Sequence, residues 1–112
     1  MEYAKKLSNL KNTEDQYRKE IRNLHLKWEK EHRKFQEKYL KALTNLEKAE
    51  ERELKKAKNK GAVSKKYDKK KAAIMAQWRK TRQTTNNKFE PMSERIRKEY
   101  EQKLDKLRKE LW

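Results

Sequence analysis

Residues 55–71 read KKAKNKGAVSKKYDKKK, and this stretch decides how the rest of the chain is organised. It contains Gly61, the only glycine of the protein, and nine lysines against a single acid, Asp68. Long segments with helical periodicity and no internal glycine lie on both sides of it. Asn59 and Gly61 can both adopt the left-handed backbone that ends a helix. The sequence therefore predicts that two helical arms fold back on each other at 59–63, with a block of positive charge at the turn.

The composition favours long helices over a globular core or a disordered chain. Of the 112 residues, 32% are hydrophobic and 46% are charged, which is too little apolar surface for a thick core. The chain has one glycine and one proline, and its most frequent residues are good helix formers. We therefore predict a single all-α domain in which each helix buries a narrow apolar stripe.

The first arm shows the spacing of a packed helix. Its apolar residues recur at steps of three, four or seven, as they do in a helix that packs along one stripe. Thr13 followed by Gln16 has the form of a capping box, which marks a helix N-terminus. The pattern predicts a main helix over 13–58 and allows a short arm over 2–11, which either is separate from the main helix or continues into it.

The second arm continues the same spacing but contains the only proline. Ser64 is a good N-cap, and the predicted helix is 64–111. Inside a helix Pro91 removes a hydrogen bond and clashes with the preceding turn, at a cost of about 3 kcal/mol. Either the helix kinks there, or a helix of 64–86 ends and another of 91–111 begins with the proline in its first turn. The prediction is a long antiparallel helical hairpin, coiled-coil-like, with a kinked or broken second arm; the alternative is a three-helix bundle.

The positive charge is concentrated in the middle of the chain. The formal net charge of +16 divides into +4 over 1–50, +10 over 51–90 and +2 over 91–112. Such a charge attracts nucleic acid, anionic lipid or an acidic protein surface. Twelve basic residues between Lys55 and Arg82 are accompanied by one acid, a composition suited to neutralising phosphates. The predicted polyanion-binding residues are Lys55, Lys56, Lys58, Lys60, Lys65, Lys66, Lys69, Lys70, Lys71, Arg79, Lys80 and Arg82.

The positions of four aromatic residues in the sequence predict two different roles, packing and ligand contact. Trp28 and Trp78 fall on the apolar stripes, so we expect them in packing. Tyr67 lies within the lysine block and Trp112 lies at the end of the chain. We predict that these two are candidates for stacking on bases or docking on a partner.

No pattern in the sequence indicates catalysis. There are no cysteines, and His25 and His32 are seven residues apart without a second pair of ligands, so no metal site or cofactor is predicted. No carboxylate lies beside a His or Ser in an apolar setting, and no glycine-rich phosphate loop is present. We therefore expect a protein that is not an enzyme and takes no small-molecule substrate. Without a membrane span or signal peptide, it is predicted to be intracellular, either soluble or peripheral.

Residues 2–10 read EYAKKLSNL, and residues 49–71 read AEERELKKAKNKGAVSKKYDKKK; these two stretches resemble the F-BAR (FCH-type) membrane-bending domains. Residues 2–10, EYAKKLSNL, are similar to the start of the long second helix of that family, where Tyr-Ala-Lys is followed by Leu-x-x-Leu. Residues 49–71 resemble its lysine-rich helix, with a Lys-Lys-Tyr-Asp run at 65–68. The resemblance implies peripheral binding of these lysines to anionic membranes.

The sequence is compatible with three functions. We expect sequence-independent binding of DNA or RNA through the basic hairpin tip, because no base-reading motif is present. The alternatives are F-BAR-like binding to anionic membranes, and a structural or adaptor subunit docked on an acidic protein. Two facing apolar stripes bury little surface, so self-association or docking on a larger assembly is also predicted.

Overall fold

The computed structural model describes residues 2–111, and all of them except 57–59 are helical. Helix α1 spans Glu2–Lys56 and helix α2 spans Lys60–Leu111. The two helices pack against each other, which confirms the predicted all-α helical-hairpin class. The chain forms two compact units: unit 1 is Met1–Glu29 with Asn86–Trp112, described over 2–29 and 86–111, and unit 2 is Lys30–Thr85.

Unit 1 is a pair of antiparallel helix segments joined by aromatic contacts. The ring of Tyr17 meets Tyr100 edge-on, with centroids 5.2 Å apart, and Trp28 stacks on Phe89 at 5.7 Å. The indole Nε1 of Trp28 also donates to Asn86 Oδ1 at 3.2 Å. Aromatic rings each bury a large area, so a few of them can hold a thin layer together.

Unit 2 contains the hairpin turn and a second set of aromatic contacts. Tyr39 stacks on Trp78 with centroids 6.1 Å apart, and the hydroxyls of Tyr39 and Thr81 share a hydrogen bond of 2.8 Å. These contacts confirm that Trp78, like Trp28 in unit 1, lies in packing. The core is thin, because no described side chain is less than 2% exposed.

The N-terminal part of α1 has no break, so the arm over 2–11 continues into the main helix and no new helix begins at Thr13. The Thr13 hydroxyl donates to the Asn9 carbonyl at 2.8 Å, which is the bond that a threonine makes inside a helix. It does not cap the amides that follow it. The good helix formers on both sides carry the helix through this residue.

The turn lies earlier than the sequence predicts. The connection is 57–59 rather than 59–63, and α2 begins at Lys60 rather than at Ser64. Asn59 is the N-cap: its Oδ1 accepts from the Ala62 amide at 3.1 Å. Gly61 therefore lies in the first turn of α2, and no described residue has a positive φ. The side chain of Asn59, and not the freedom of the glycine, starts the second helix.

Helix α2 continues through Pro91, so within 2–111 the three-helix alternative is wrong. Phe89 and Tyr100, on either side of the proline, are each only 3% exposed. Their contacts with α1 in unit 1 hold the helix before and after the proline, since tertiary packing supplies most of the stability of a helix. Thr84, seven residues before the proline, donates its hydroxyl to the Lys80 carbonyl at 2.9 Å, as an interior helical residue does.

Large apolar side chains remain exposed in both units. Leu26 in unit 1 is 56% exposed and Leu40 in unit 2 is 46% exposed. Tyr3, Leu7 and Met92 in unit 1 and Met75 in unit 2 are exposed as well. Self-association or docking on a larger assembly stays a prediction, and these exposed side chains are the residues at which it can be tested.

Candidate polyanion-binding surface

The twelve predicted basic residues all lie in unit 2, around the hairpin end and along α2. Lys55 and Lys56 are the last two residues of α1, Lys58 is in the connection, and Lys60 is the first residue of α2. The other eight follow on α2. Lys71 is half-buried, and the remaining eleven are exposed.

Two of these lysines are paired with acids of α1. Lys66 Nζ donates to Glu53 Oε1 at 3.2 Å, and Lys71 Nζ lies 2.7 Å from Glu50 Oε2. The hydrogen bond to Glu50 raises the pKa of Lys71. Antiparallel packing places these glutamates, which come just before the lysine block in the chain, opposite the lysines that end it. This pairing does not show in the charge count of residues 55–71, because both glutamates precede that stretch in the chain.

Tyr67 is part of the same network and is not available for stacking, so its predicted role is corrected. The side chain is 3% exposed, and its hydroxyl donates to Glu53 Oε1 at 2.8 Å. The ammonium groups of Lys66 and Lys70 lie 5.6 and 5.1 Å from the ring centroid, within the range of cation–π attraction. The ring is thus enclosed by its own hairpin. Trp112, the other predicted aromatic site, lies outside the described residues.

The hydrogen bonds of Glu53 shift two pKa values. The bond from Tyr67, followed by that from Lys66, lowers the pKa of Glu53 below its ordinary value. The same bond to Glu53, together with burial, raises the pKa of Tyr67. Near neutral pH the carboxylate therefore stays charged and the phenol stays protonated. This keeps one acid of α1 fixed against the lysines.

Four of the basic side chains without such pairing lie on one face of α2. Tyr67, Ile74 and Trp78 are buried or half-buried and mark the side that packs on α1. With 3.6 residues per turn, the opposite side carries a row of exposed residues, here called the outer face of α2. Its residues are Lys65, Lys69, Ala72, Ala73, Ala76, Arg79 and Lys80.

The outer face of α2 has four positive charges and no acid. Asp68, the only acid of α2 between Lys60 and Arg82, lies to one side, where its charge helps to raise the pKa of Lys71. The exposed surface of α1 in unit 2 is mixed instead, because Glu37 and Glu51 alternate with its lysines and arginines. A uniform sign of charge distinguishes the outer face of α2 from its neighbour on α1.

In unit 1 the basic side chains are largely matched by acids. Arg97 donates to Glu94 Oε2 at 2.8 Å and to Glu101 Oε1 at 3.3 Å. Arg108 lies 3.8 Å from Glu14 Oε1 on α1. Such exposed pairs contribute little to stability, but they cancel local charge. Unmatched positive charge is therefore more concentrated in unit 2 than in unit 1.

The described residues contain no cluster of three or more His, Asp or Glu side chains placed to hold a metal ion. His25 lies edge-on to Trp28 in unit 1, with centroids 6.3 Å apart. His32 is tilted against Phe35 in unit 2, at 4.8 Å. Over 2–111, neither helix has a segment apolar enough to cross a bilayer.

Comparisons of the chain with protein-family models, with curated proteins and with solved structures give no significant match.

Proposed function

We propose that this protein binds polyanions, nucleic acid foremost, without reading base sequence. The binding surface consists of the outer face of α2 and the exposed lysines at the hairpin end, which are Lys55, Lys56, Lys58 and Lys60. The observation that carries the proposal is the row of four exposed basic residues on the outer face, uninterrupted by any acid. Phosphate neutralisation needs cations that are not already neutralised by carboxylates.

The ion pairs within the hairpin support unequal roles for the twelve basic residues in the proposed binding. Lys66 and Lys71 are paired with glutamates of α1, so a phosphate would have to compete with a carboxylate for each of them. Lys65, Lys69, Arg79 and Lys80 are exposed on the opposite side of α2. Their side chains reach a ligand without breaking any contact within the hairpin. We therefore assign the larger share of binding to these four residues.

The chemistry of the surface favours a phosphate backbone over a lipid bilayer. A peripheral helix that enters a membrane presents large apolar side chains beside its cations. The uncharged residues of the outer face are alanines. The exposed Met75 lies beside this row rather than in it. Anionic membrane binding by charge alone is therefore an outcome to be tested beside nucleic acid.

The test measures affinity for four probes at matched salt concentrations: duplex DNA, single-stranded DNA, duplex RNA, and vesicles with increasing phosphatidylserine. Nucleic-acid binding should weaken steeply with salt and be displaced by heparin, because it depends on counterion release. Tighter binding to vesicles than to every nucleic acid would overturn the nucleic-acid proposal and favour the membrane alternative. No binding to any of the four at physiological salt would overturn polyanion binding and favour an adaptor on an acidic protein.

A further inference from the structure

We infer that the polyanion is B-form duplex DNA, and that the outer face of α2 docks across its major groove. This inference rests on the proposed function and names its ligand class. In the docked arrangement, two basic clusters at the ends of the face contact the phosphates on the two sides of the groove. The first cluster is Lys65 with Lys69, and the second is Arg79 with Lys80.

The spacing of the two clusters fits the groove. Lys69 and Arg79 are ten residues apart, or about 15 Å along the axis at about 1.5 Å per residue. The major groove of B-form DNA is about 12 Å wide and admits an α-helix. Two clusters at this separation can therefore reach both edges of the groove while the helix between them lies over its opening.

The residues between the clusters allow a close approach. Ala72, Ala73 and Ala76 are the exposed residues on this part of the face, and their side chains end at Cβ. A long side chain at any of these three positions would hold the helix axis away from the duplex. The alanines bring no hydrogen-bonding group to the base edges, which agrees with binding that does not read sequence.

Other forms of nucleic acid fit this surface less well. Binding of a single strand uses exposed aromatic rings on which bases stack, whereas Tyr67 is buried and Trp78 is packed on Tyr39. Duplex RNA has a deep, narrow major groove that protein side chains do not enter. The outer face of α2 therefore favours B-form DNA over both.

The test changes the shape of the face without changing its charge. Ala76→Leu adds bulk between the clusters, and Thr44→Leu adds bulk at an exposed neutral position on the outward side of α1 as the matched control. Affinity for a 24-base-pair duplex and for heparin is measured for both variants, with circular dichroism to verify helicity. We expect Ala76→Leu to weaken duplex binding by roughly tenfold, because both clusters move away from the phosphates together. Heparin binding should stay unchanged, and Thr44→Leu should behave as the unsubstituted protein.

A second measurement reports on the groove directly. Guanine N7 lies in the major groove, so a docked helix should protect it from methylation by dimethyl sulfate. Full methylation in the bound duplex, or equal duplex affinity for Ala76→Leu and Thr44→Leu, would overturn major-groove docking and leave polyanion binding standing. Tighter binding to single strands than to duplex would also overturn it. If the unsubstituted protein bound neither nucleic acid nor heparin, the proposed function itself would fail, and this inference with it.

Discussion

Replacing Gly61 by alanine should stabilise the protein, although the sequence suggests a glycine needed for the turn. The residue lies in the first turn of α2, and no described residue has a positive φ. A Cβ built at this position meets Asn59 Oδ1 at 3.5 Å, an ordinary van der Waals contact. Alanine is favoured over glycine in a helix by about 0.5–1 kcal/mol, mainly because glycine loses more backbone entropy on folding. We expect a gain within that range.

The gain is large enough to measure. An entropy of unfolding of about 2.1 cal/mol/K per residue gives a chain of this length a rise in melting temperature of roughly 2–4 °C. In urea, with a slope of about 1–3 kcal/mol/M, the midpoint should increase by a few tenths of a molar. Both shifts are followed by circular dichroism of the helices.

The control variant should change the free energy of unfolding in the opposite direction. Like Gly61→Ala, it leaves the net charge unchanged. Asn59→Ala removes the cap on the Ala62 amide and should destabilise the protein by about 1 kcal/mol. If Gly61→Ala were destabilising instead, by about 1 kcal/mol or more, the glycine would have to lie in a left-handed turn. The position of the turn at 57–59 would then be wrong.

Three further predictions concern pH, packing and assembly. Hydrogen bonds from Tyr67 and Lys66 lower the pKa of Glu53 in the folded state, so the stability that this carboxylate contributes is present above its ordinary pKa and is lost as the pH falls through the lowered value. In urea unfolding, the difference in stability between Glu53→Gln and the unsubstituted protein should therefore be largest near neutral pH and shrink as the pH falls into the acid range; a constant difference would contradict this. Leu24, 5% exposed, is the most buried aliphatic side chain of unit 1; Leu24→Ala should cost about 2–5 kcal/mol, and a loss below about 1 kcal/mol would show that it is not core. The exposed Leu26 and Leu40 predict self-association in sedimentation at micromolar concentration; a cooperatively melting monomer would argue against it.

The fold class follows from the sequence because it depends on repeated patterns. The apolar steps of three and four define each packed stripe, and the shortage of Gly and Pro excludes most other folds. The boundaries depend on single contacts. Asn59 and Ser64 are both acceptable N-caps by residue type, and the hydrogen bond to the Ala62 amide selects Asn59. Thr13 has the form of a cap and instead bonds backward inside α1.

The sequence predicts which basic residues make up the candidate surface, but it does not predict which of them pair with glutamates. Counting charges along the chain finds the basic segment, because Lys65 and Lys69 lie where the count is highest. Which lysines are neutralised depends on the register of the hairpin, and this register brings Glu50 and Glu53 across to Lys71 and Lys66. A turn placed a few residues away would pair different side chains. The burial of Tyr67, which lies within residues 55–71, depends on the same register.

Equilibrium titration with duplex DNA across a range of salt concentrations tests the central claim most directly. One variant changes the four basic residues of the outer face of α2, Lys65, Lys69, Arg79 and Lys80, to Gln. The matched control changes four exposed basic residues of α1 in the same unit, Arg33, Lys34, Lys41 and Lys48, to Gln. Both variants lose the same charge.

If the outer face of α2 is the binding surface, its variant should lose up to about 3.6 from the magnitude of the log–log salt slope, at about 0.9 for each lost duplex-phosphate contact. The α1 control should lose much less, and both variants should remain fully helical. Equal losses of slope and affinity in the two variants would contradict the claim, because the charge would then act as a diffuse cloud with no preferred face.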